Sequence, residues 1–458
     1  MRWRSSGSPF RQLVRQGYIE PDAVRPTKNR ACFAAEPVLN PSHMQTASQP
    51  GYIKFALANR RILAFGFLMA LGSSFGQTFF IGIFSPSIEA EFGLSHSEWG
   101  TIYMAGTLLS AATLTYTGRW IDHTPLRTYA AIVCAFLAVA CLATAFTPAA
   151  WFLIPAVYCL RQAGQGLASH TSVTGMVKYF RHSRGKAVAL ATLGFPMGRA
   201  LLPVAAVASI AAIGWRETYV VCAVLALVLL LPAVIWLLNG VGDSEEPPEG
   251  NDDTESGRTA ARRTPIDRSL GDVLRDPGFY FFLPAILAPS FFDTAVSFHL
   301  LSIASLKSWS AEWVTSGYAI YAAATIGASM WMGALVDRLG ALRLFILSLI
   351  PYIVGTFLLG FMDHAAWAWV FLALYGMGSG IKATLIPVLL SEVYGTRFIG
   401  AIRSFVATLS VFGSALGPPA LGLALDLDVS VAAMTLVAIA YFIVSSLLMV
   451  LGGRRWSA

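Results

Sequence analysis

The chain has 458 residues, 56% of them hydrophobic and only 12% charged, and its 32 Lys and Arg against 25 Asp and Glu leave a net charge of +7. With a mean hydropathy of +0.62, this composition excludes a water-soluble globular protein and places the chain in a lipid bilayer. The positive excess collects in short loops between apolar stretches, so it reads as membrane topology and implies no nucleic-acid partner.

Residues 1–58 read as a disordered cytoplasmic tail. The first 43 are polar, hold seven Arg or Lys and lack the apolar core of a signal peptide, and Met44 offers an alternative translation start. Twelve stretches then follow that can cross about 30 Å of hydrocarbon as helices. They lie near 62–86, 98–118, 128–147, 151–175, 187–211, 218–238, 278–303, 313–335, 344–361, 367–391, 401–425 and 431–451. The expected fold is an all-α membrane protein of two pseudo-symmetric six-helix bundles, 59–238 and 278–453, joined by a cytoplasmic linker over 239–277 and ended by a tail at 454–458. The linker contains GDSEEPPEGNDDTESG and a basic cluster, the composition of a flexible connector. Lys and Arg crowd the loops of one side, among them Lys54, Arg127, Lys178, Arg338 and Arg343, whereas the opposite loops hold only Arg216 and Lys307. Both termini and the linker are therefore expected on the cytoplasmic side of the inner, or plasma, membrane.

The two halves repeat each other. Glu98 and Trp99 recur as Glu312 and Trp313, GRWID ending at Asp122 recurs as GALVD ending at Asp337, and Gly164 and Gly166 recur as Gly378 and Gly380. Two related bundles around a shared site are what alternating access requires. The loop GALVDRLGALR, with Gly333, Asp337, Arg338, Gly340 and Arg343, resembles the signature loop of the major facilitator superfamily. In the first half Gly118, Asp122 and Arg127 remain, with His123, Thr124 and Pro125 in place of Arg-x-Gly. YFRHSRGKAVALA from Tyr179 and EVYGTRFIGAIRS from Glu392 are similar to runs of the bacterial monocarboxylate-porter-like branch. The resemblance covers roughly residues 60–455. It implies a twelve-helix secondary transporter, not an enzyme, in which Asp122 and Asp337 latch the cytoplasmic gate by pairing with Arg or with the positive N-terminus of an opposing helix. The alternative for both is a solvated loop charge.

An ionisable side chain at mid-bilayer costs at least about 2.5–3.5 kcal/mol, so each one needs a cavity, a partner or a function. Arg161 and Arg199 fall near the midplane of the first half, Asp293 and Lys382 deep in the second. Three cations against one carboxylate favour an anionic solute held bidentately by Arg. Alternatively Arg161 braces helices four and five through backbone carbonyls, and Lys382 snorkels or pairs with a carboxylate. Gln77, in the small polar run from Gly72 to Thr78, is expected to line the cavity. Asp293 is the first choice as proton carrier, with a permanent ion pair to Lys382 or an Arg as the other reading, and His299 is either a relay or a satisfied interfacial side chain.

Pro196 and Pro203 in the fifth stretch, and Gly417 and Pro418 in the eleventh, mark expected hinges. Cys134, Cys141, Cys159 and Cys222 fall inside helices, so no extracellular disulfide framework is expected. No Gly-x-x-x-x-Gly-Lys-Ser/Thr loop and no His/Cys run with metal spacing occurs, so neither a cofactor, nor a metal, nor ATP-driven transport is expected. The expected function is alternating-access transport of a small organic solute by a monomer, an organic anion such as a monocarboxylate coupled to protons. The alternative is a proton-coupled exporter of hydrophobic compounds, served by aromatics such as Phe291 and Phe292.

Overall fold

The computed structural model describes residues 52–180, 183–241 and 267–457. The expected disorder ahead of residue 52, the Met44 start and the acidic centre of the linker lie outside them. Twelve spans follow one another: α1 (Arg60–Gly76 with Thr78–Phe92), α2 (His96–Thr117), α3 (Leu126–Ala145), α4 (Leu153–Leu160, Arg161–Ala168 and Ser169–Tyr179 end to end), α5 (Arg184–Ile213), α6 (Trp215–Leu237), α7 (Pro277–Phe298, prolonged by Leu300–Leu306), α8 (Ala311–Leu339), α9 (Ala341–Phe361), α10 (Ala366–Tyr394), α11 (Ile399–Asp426) and α12 (Val431–Ser457). Among the described residues, nine single helices are long and apolar enough to cross a membrane, and bent α1 makes a tenth. The two that fall short, α2 and α4, carry polar side chains that satisfy each other. Ser110 donates to Gln162 Oε1 at 2.8 Å and Gln162 Nε2 donates to Thr117 at 2.7 Å, which removes the cost of bare amides in hydrocarbon.

The repeat is visible in how the second span of each half begins. Ser95 caps α2 through a capping box with Glu98, and Ser310 accepts the Trp313 N–H at the start of α8. The indoles then tie each helix to its own half: Trp99 donates to Ser85 at 2.8 Å and Trp313 to the Ala365 carbonyl at 2.7 Å. Large apolar side chains stand exposed on the outer helices, including Val228 and Leu229 on α6 and Val437 and Leu447 on α12, as a lipid-facing surface requires.

The halves meet along α2 against α11 and α5 against α8. The repeat exchanges α2 with α8 and α5 with α11, so the two seams are equivalents of one another. At one end the α2–α11 seam is sealed. The Asp426 carboxylate at the end of α11 accepts the backbone N–H groups of His96 and Ser97, each at 2.9 Å, where the N-terminus of α2 favours negative charge. A side chain on Gly100 would strike the Pro418 backbone, so the two helices touch directly. At the opposite, cation-rich end the contacts of Lys178 with Asp122, Arg127 with Asn239 and Glu392 with the Ala341 N–H each stay within one half.

Several boundaries differ from expectation. The chain is helical from Tyr52, inside the expected tail, because Phe55 is buried against Phe180 with ring centroids 5.3 Å apart. Residues 267–277 are not free linker: Ser269 caps a short helix, Leu270–Arg275, and Asp267 accepts the Thr396 and Arg397 N–H groups. The last helix continues to Ser457, through most of the expected 454–458 tail. The expected hinges lie within assigned helices, Pro196 and Pro203 inside Gly194–Ile213 and Gly417 and Pro418 inside Ile399–Asp426. The sharp bend, 46°, is in α1 at Gln77, whose backbone is extended (φ −83°, ψ 150°).

Candidate functional site

The bend in α1 creates the first element of the site. Gly76 and Gly164 let α1 and α4 come into backbone contact, and a Cβ on Gly164 would lie 2.6 Å from the Gly76 Cα. With Gln77 out of the helix the Gly76 carbonyl is left without a helical partner, and Arg161 takes it, Nη1 donating to Gly76 O at 3.2 Å and to Thr78 Oγ1 at 3.4 Å. Arg161 starts the widened π-helical turn Arg161–Ala168 of α4, a departure from regular winding that re-aims side chains toward a site. Its guanidinium lies 5.2 Å from the Tyr103 ring, and its Nε has no hydrogen-bond partner among the described residues. The brace thus runs to helix one, not to helix five.

On the other side of the first half, α5 presents Arg199. Its Nη2 donates to Ser297 at 2.8 Å and lies 3.4 Å from Asp293 Oδ1, both on α7 of the second half. The guanidinium sits 3.6 Å from the Tyr321 ring centroid and 5.2 Å from that of Phe79, an aromatic cage that suits delocalised charge. Asp293 is also reached by the Tyr321 hydroxyl at 3.4 Å. Lys382, on α10, donates to Ser290 at 2.6 Å; it neither snorkels nor pairs directly with Asp293. Side-chain exposures of 14% for Arg199 and 23% for Asp293 leave both with an open face.

That face is a cavity of about 260 Å³ which Gln77, Arg161, Arg199, Asp293 and Lys382 all line. A second space of about 200 Å³ adjoins it through Gln77, Phe79, Arg199 and Ser379 and reaches Pro196. Helices from both halves contribute, so five side chains distant in sequence are gathered where the halves meet. Three cations and one carboxylate give the cavity a net positive charge, with Ser and Thr hydroxyls around it. Such a lining can hold a small solute bearing a carboxylate.

His299 stands apart. It is fully buried at the sealed end, where its Nε2 contacts the Pro418 carbonyl at 2.9 Å. The gate motifs also stand apart from the cavity. Asp122 pairs with Lys178 of α4 at 3.1 Å instead of an Arg or an opposing half, and this ammonium holds its carboxyl below the usual aspartate range. Arg127 reaches Asn239 at 3.3 Å. Among the described residues Asp337 forms no ion pair, and the carboxylate at the neighbouring helix start is Glu392, which accepts the Ala341 N–H at 3.0 Å. Gly340 turns the chain between α8 and α9 at φ +80°, a conformation that glycine permits. Gly333 faces open space, and no described ion pair or hydrogen bond engages Arg338 or Arg343. Sequence reading missed the α1 bend, the π-turn and the Arg199 aromatic cage. The first had a signal in the run Gly72–Ser73–Ser74–Phe75–Gly76; the cage, which Tyr318 completes with its ring centroid 5.0 Å from the Arg199 guanidinium, had none, since Phe79, Tyr318 and Tyr321 come from two distant segments.

Residues 66–418 match the family model described as Major Facilitator Superfamily. The chain is 36% identical over 92 residues to Plastidic glucose transporter 4 of Arabidopsis thaliana, a match covering 20% of this chain and 16% of that protein. It therefore spans only a short part of that relative's length. Two solved structures of a bacterial homologue of the human lysosomal transporter Spinster, one inward-facing and unoccupied and one inward-facing and occupied, align with a TM-score of 0.62 each. They are 14% and 13% identical, and each alignment covers 89% of this chain and 98% of the other. At such identities the likeness is one of fold.

Proposed function

This chain belongs to the major facilitator superfamily, and we propose that it is a secondary transporter that carries a small organic anion, of the monocarboxylate class, together with protons. The observation that supports this reading is the cavity of about 260 Å³ in which Arg161, Arg199 and Lys382 outnumber Asp293. A solute carboxylate competes with Asp293 for Arg199, whose 3.4 Å contact is longer than a tight charge-assisted bond of about 2.7–2.9 Å. Asp293, displaced, takes up a proton and moves with the solute as an uncharged group. Gln77, at the bend, and Arg161 orient the far end of the solute. With the cation-rich loops on the cytoplasmic side, the sealed end faces outward and the cavity opens inward, and rocking of the two halves that opens this end while closing the other gives alternating access.

The test is uptake into proteoliposomes under an imposed pH gradient, with a panel of short labelled carboxylates. Accumulation that collapses in Arg161→Ala and in Arg199→Ala supports the anion reading; normal uptake in both variants removes it. The other reading, export of hydrophobic compounds, draws on an apolar cavity of about 620 Å³ bordered by Leu287, Phe291, Phe292 and Tyr441. Gradient-driven movement of lipophilic dyes, blocked by filling that cavity through Ala295→Trp, would favour it.

A further inference from the structure

We propose that Glu89, His96 and His299 form a transition-metal site that takes Zn²⁺ and staples the two halves together at their sealed end. None of the three is near another by metal-ligand spacing in sequence; the fold assembles them. One ligand atom from each lies within 4.8 Å of the others, and a tetrahedral zinc site needs them about 3.4 Å apart. Small side-chain adjustments bring them there.

The hydrogen bonding fits a ligand set. His299 Nε2 lies 2.9 Å from the Pro418 carbonyl, and a carbonyl only accepts, so Nε2 carries the proton. In the neutral ring Nδ1 then keeps a free lone pair, and this atom is buried without a hydrogen-bond partner. Metal-binding histidines characteristically donate their second N–H to a carbonyl or carboxylate, which fixes the ring and its tautomer. Glu89 Oε1 is a second buried atom without a hydrogen-bond partner, while Oε2 sits 2.9 Å from His96 Nδ1. The imidazoles of His96 and His299 face each other edge to face at 5.8 Å. Two imidazoles and a carboxylate match the donor preferences of zinc better than those of calcium or magnesium, and the fourth position remains for water.

Access and consequence follow from position. His96 is one-third exposed, so a cation reaches the site from the sealed end. Glu89 belongs to α1 and His96 to the start of α2, whereas His299 follows α7. A bound metal therefore bridges the halves beside the Asp426 contacts and resists opening of that seam. This role is independent of what the carrier moves.

The test uses the full chain in detergent, stripped with a chelator and titrated with Co²⁺ as a spectroscopic stand-in. The parent is expected to give a saturable visible spectrum of a four-coordinate site that Zn²⁺ abolishes. His96→Asn and Glu89→Gln each weaken binding by more than about tenfold, and His364→Asn leaves it unchanged. Because His299→Asn also loses the Pro418 contact, folding of every variant is checked by thermal unfolding without metal. Absence of the spectrum in the parent, or binding in both ligand variants as tight as in the parent, overturns the proposal. No solute enters the measurement, so its failure leaves the transport reading standing.

Discussion

Arg199 and Asp293 meet across the boundary between the two halves, 3.4 Å apart, with the open face of each toward the same cavity. They come from helices five and seven and are 94 positions apart in the chain. Removing either leaves the other as an unpaired charge in a largely desolvated place. Arg199→Ala and Asp293→Ala are each expected to destabilise the protein by about 1–3 kcal/mol, less than the 3–5 kcal/mol of a fully buried pair because both side chains retain some solvent. The double variant should recover part of that loss, as a double-mutant cycle on thermal unfolding would register. Strict additivity would mean the pair is not coupled.

Asp293→Asn separates exchange from accumulation. The amide cannot release a proton, so counterflow of labelled for unlabelled carboxylate should persist while accumulation driven by a pH gradient falls to background. An unchanged gradient response would move proton coupling away from this residue.

The contact of Asp426 with α2 should decide which conformation is favoured. Two N–H donors at 2.9 Å meet one exposed carboxylate, an arrangement worth about 1–2 kcal/mol. Asp426→Ala is expected to shift the population toward opening of this end by roughly 5- to 30-fold. Spin-label distances across the seam, or thiol labelling of a cysteine placed at Ser97, would report the shift; labelling identical to the parent would mean that the seal lies elsewhere.

Gly76 is expected to resist substitution far more than Gly327. A Cβ at Gly76 meets the Leu160 carbonyl and the Gly164 Cα, backbone atoms that cannot rotate aside, whereas nothing lies near Gly327. Gly76→Ala should cost about 1–3 kcal/mol and disturb the Arg161 contact with it. Gly327→Ala, inside α8, should be neutral or stabilising by up to about 1 kcal/mol. Thermal unfolding of the pair of variants checks both.

Asp122 gives a pH dependence of definite sign. Lys178 lowers its folded-state pKa below the ordinary 3.8, so the native contact contributes fully above that value and is lost as pH falls through the lower, folded one. Carboxylate-specific infrared or NMR titration should find its midpoint below 3.8, moving up in Lys178→Met. Between pH 5 and pH 8 the contact should contribute no pH dependence at all, because the carboxylate is ionised in both states there.

Composition and periodicity fixed the membrane, the twelve spans and the duplicated halves, because a bilayer of set thickness demands long apolar helices whatever their partners. The cost of charge in hydrocarbon also made Arg161, Arg199, Asp293 and Lys382 visible as candidates, since such residues persist only with a cavity or a partner. Which of them meet was decided by packing between distant helices: Arg199 pairs with Asp293, Arg161 takes the carbonyl freed at Gln77, and Lys382 goes to Ser290. The bend at Gln77 and the assembly of Glu89, His96 and His299 likewise exist only in the folded chain. Hydropathy is a local property read along one helix, whereas hydrogen-bond and ion-pair partners depend on how α1, α4, α5, α7 and α10 converge, and no single segment carries that information.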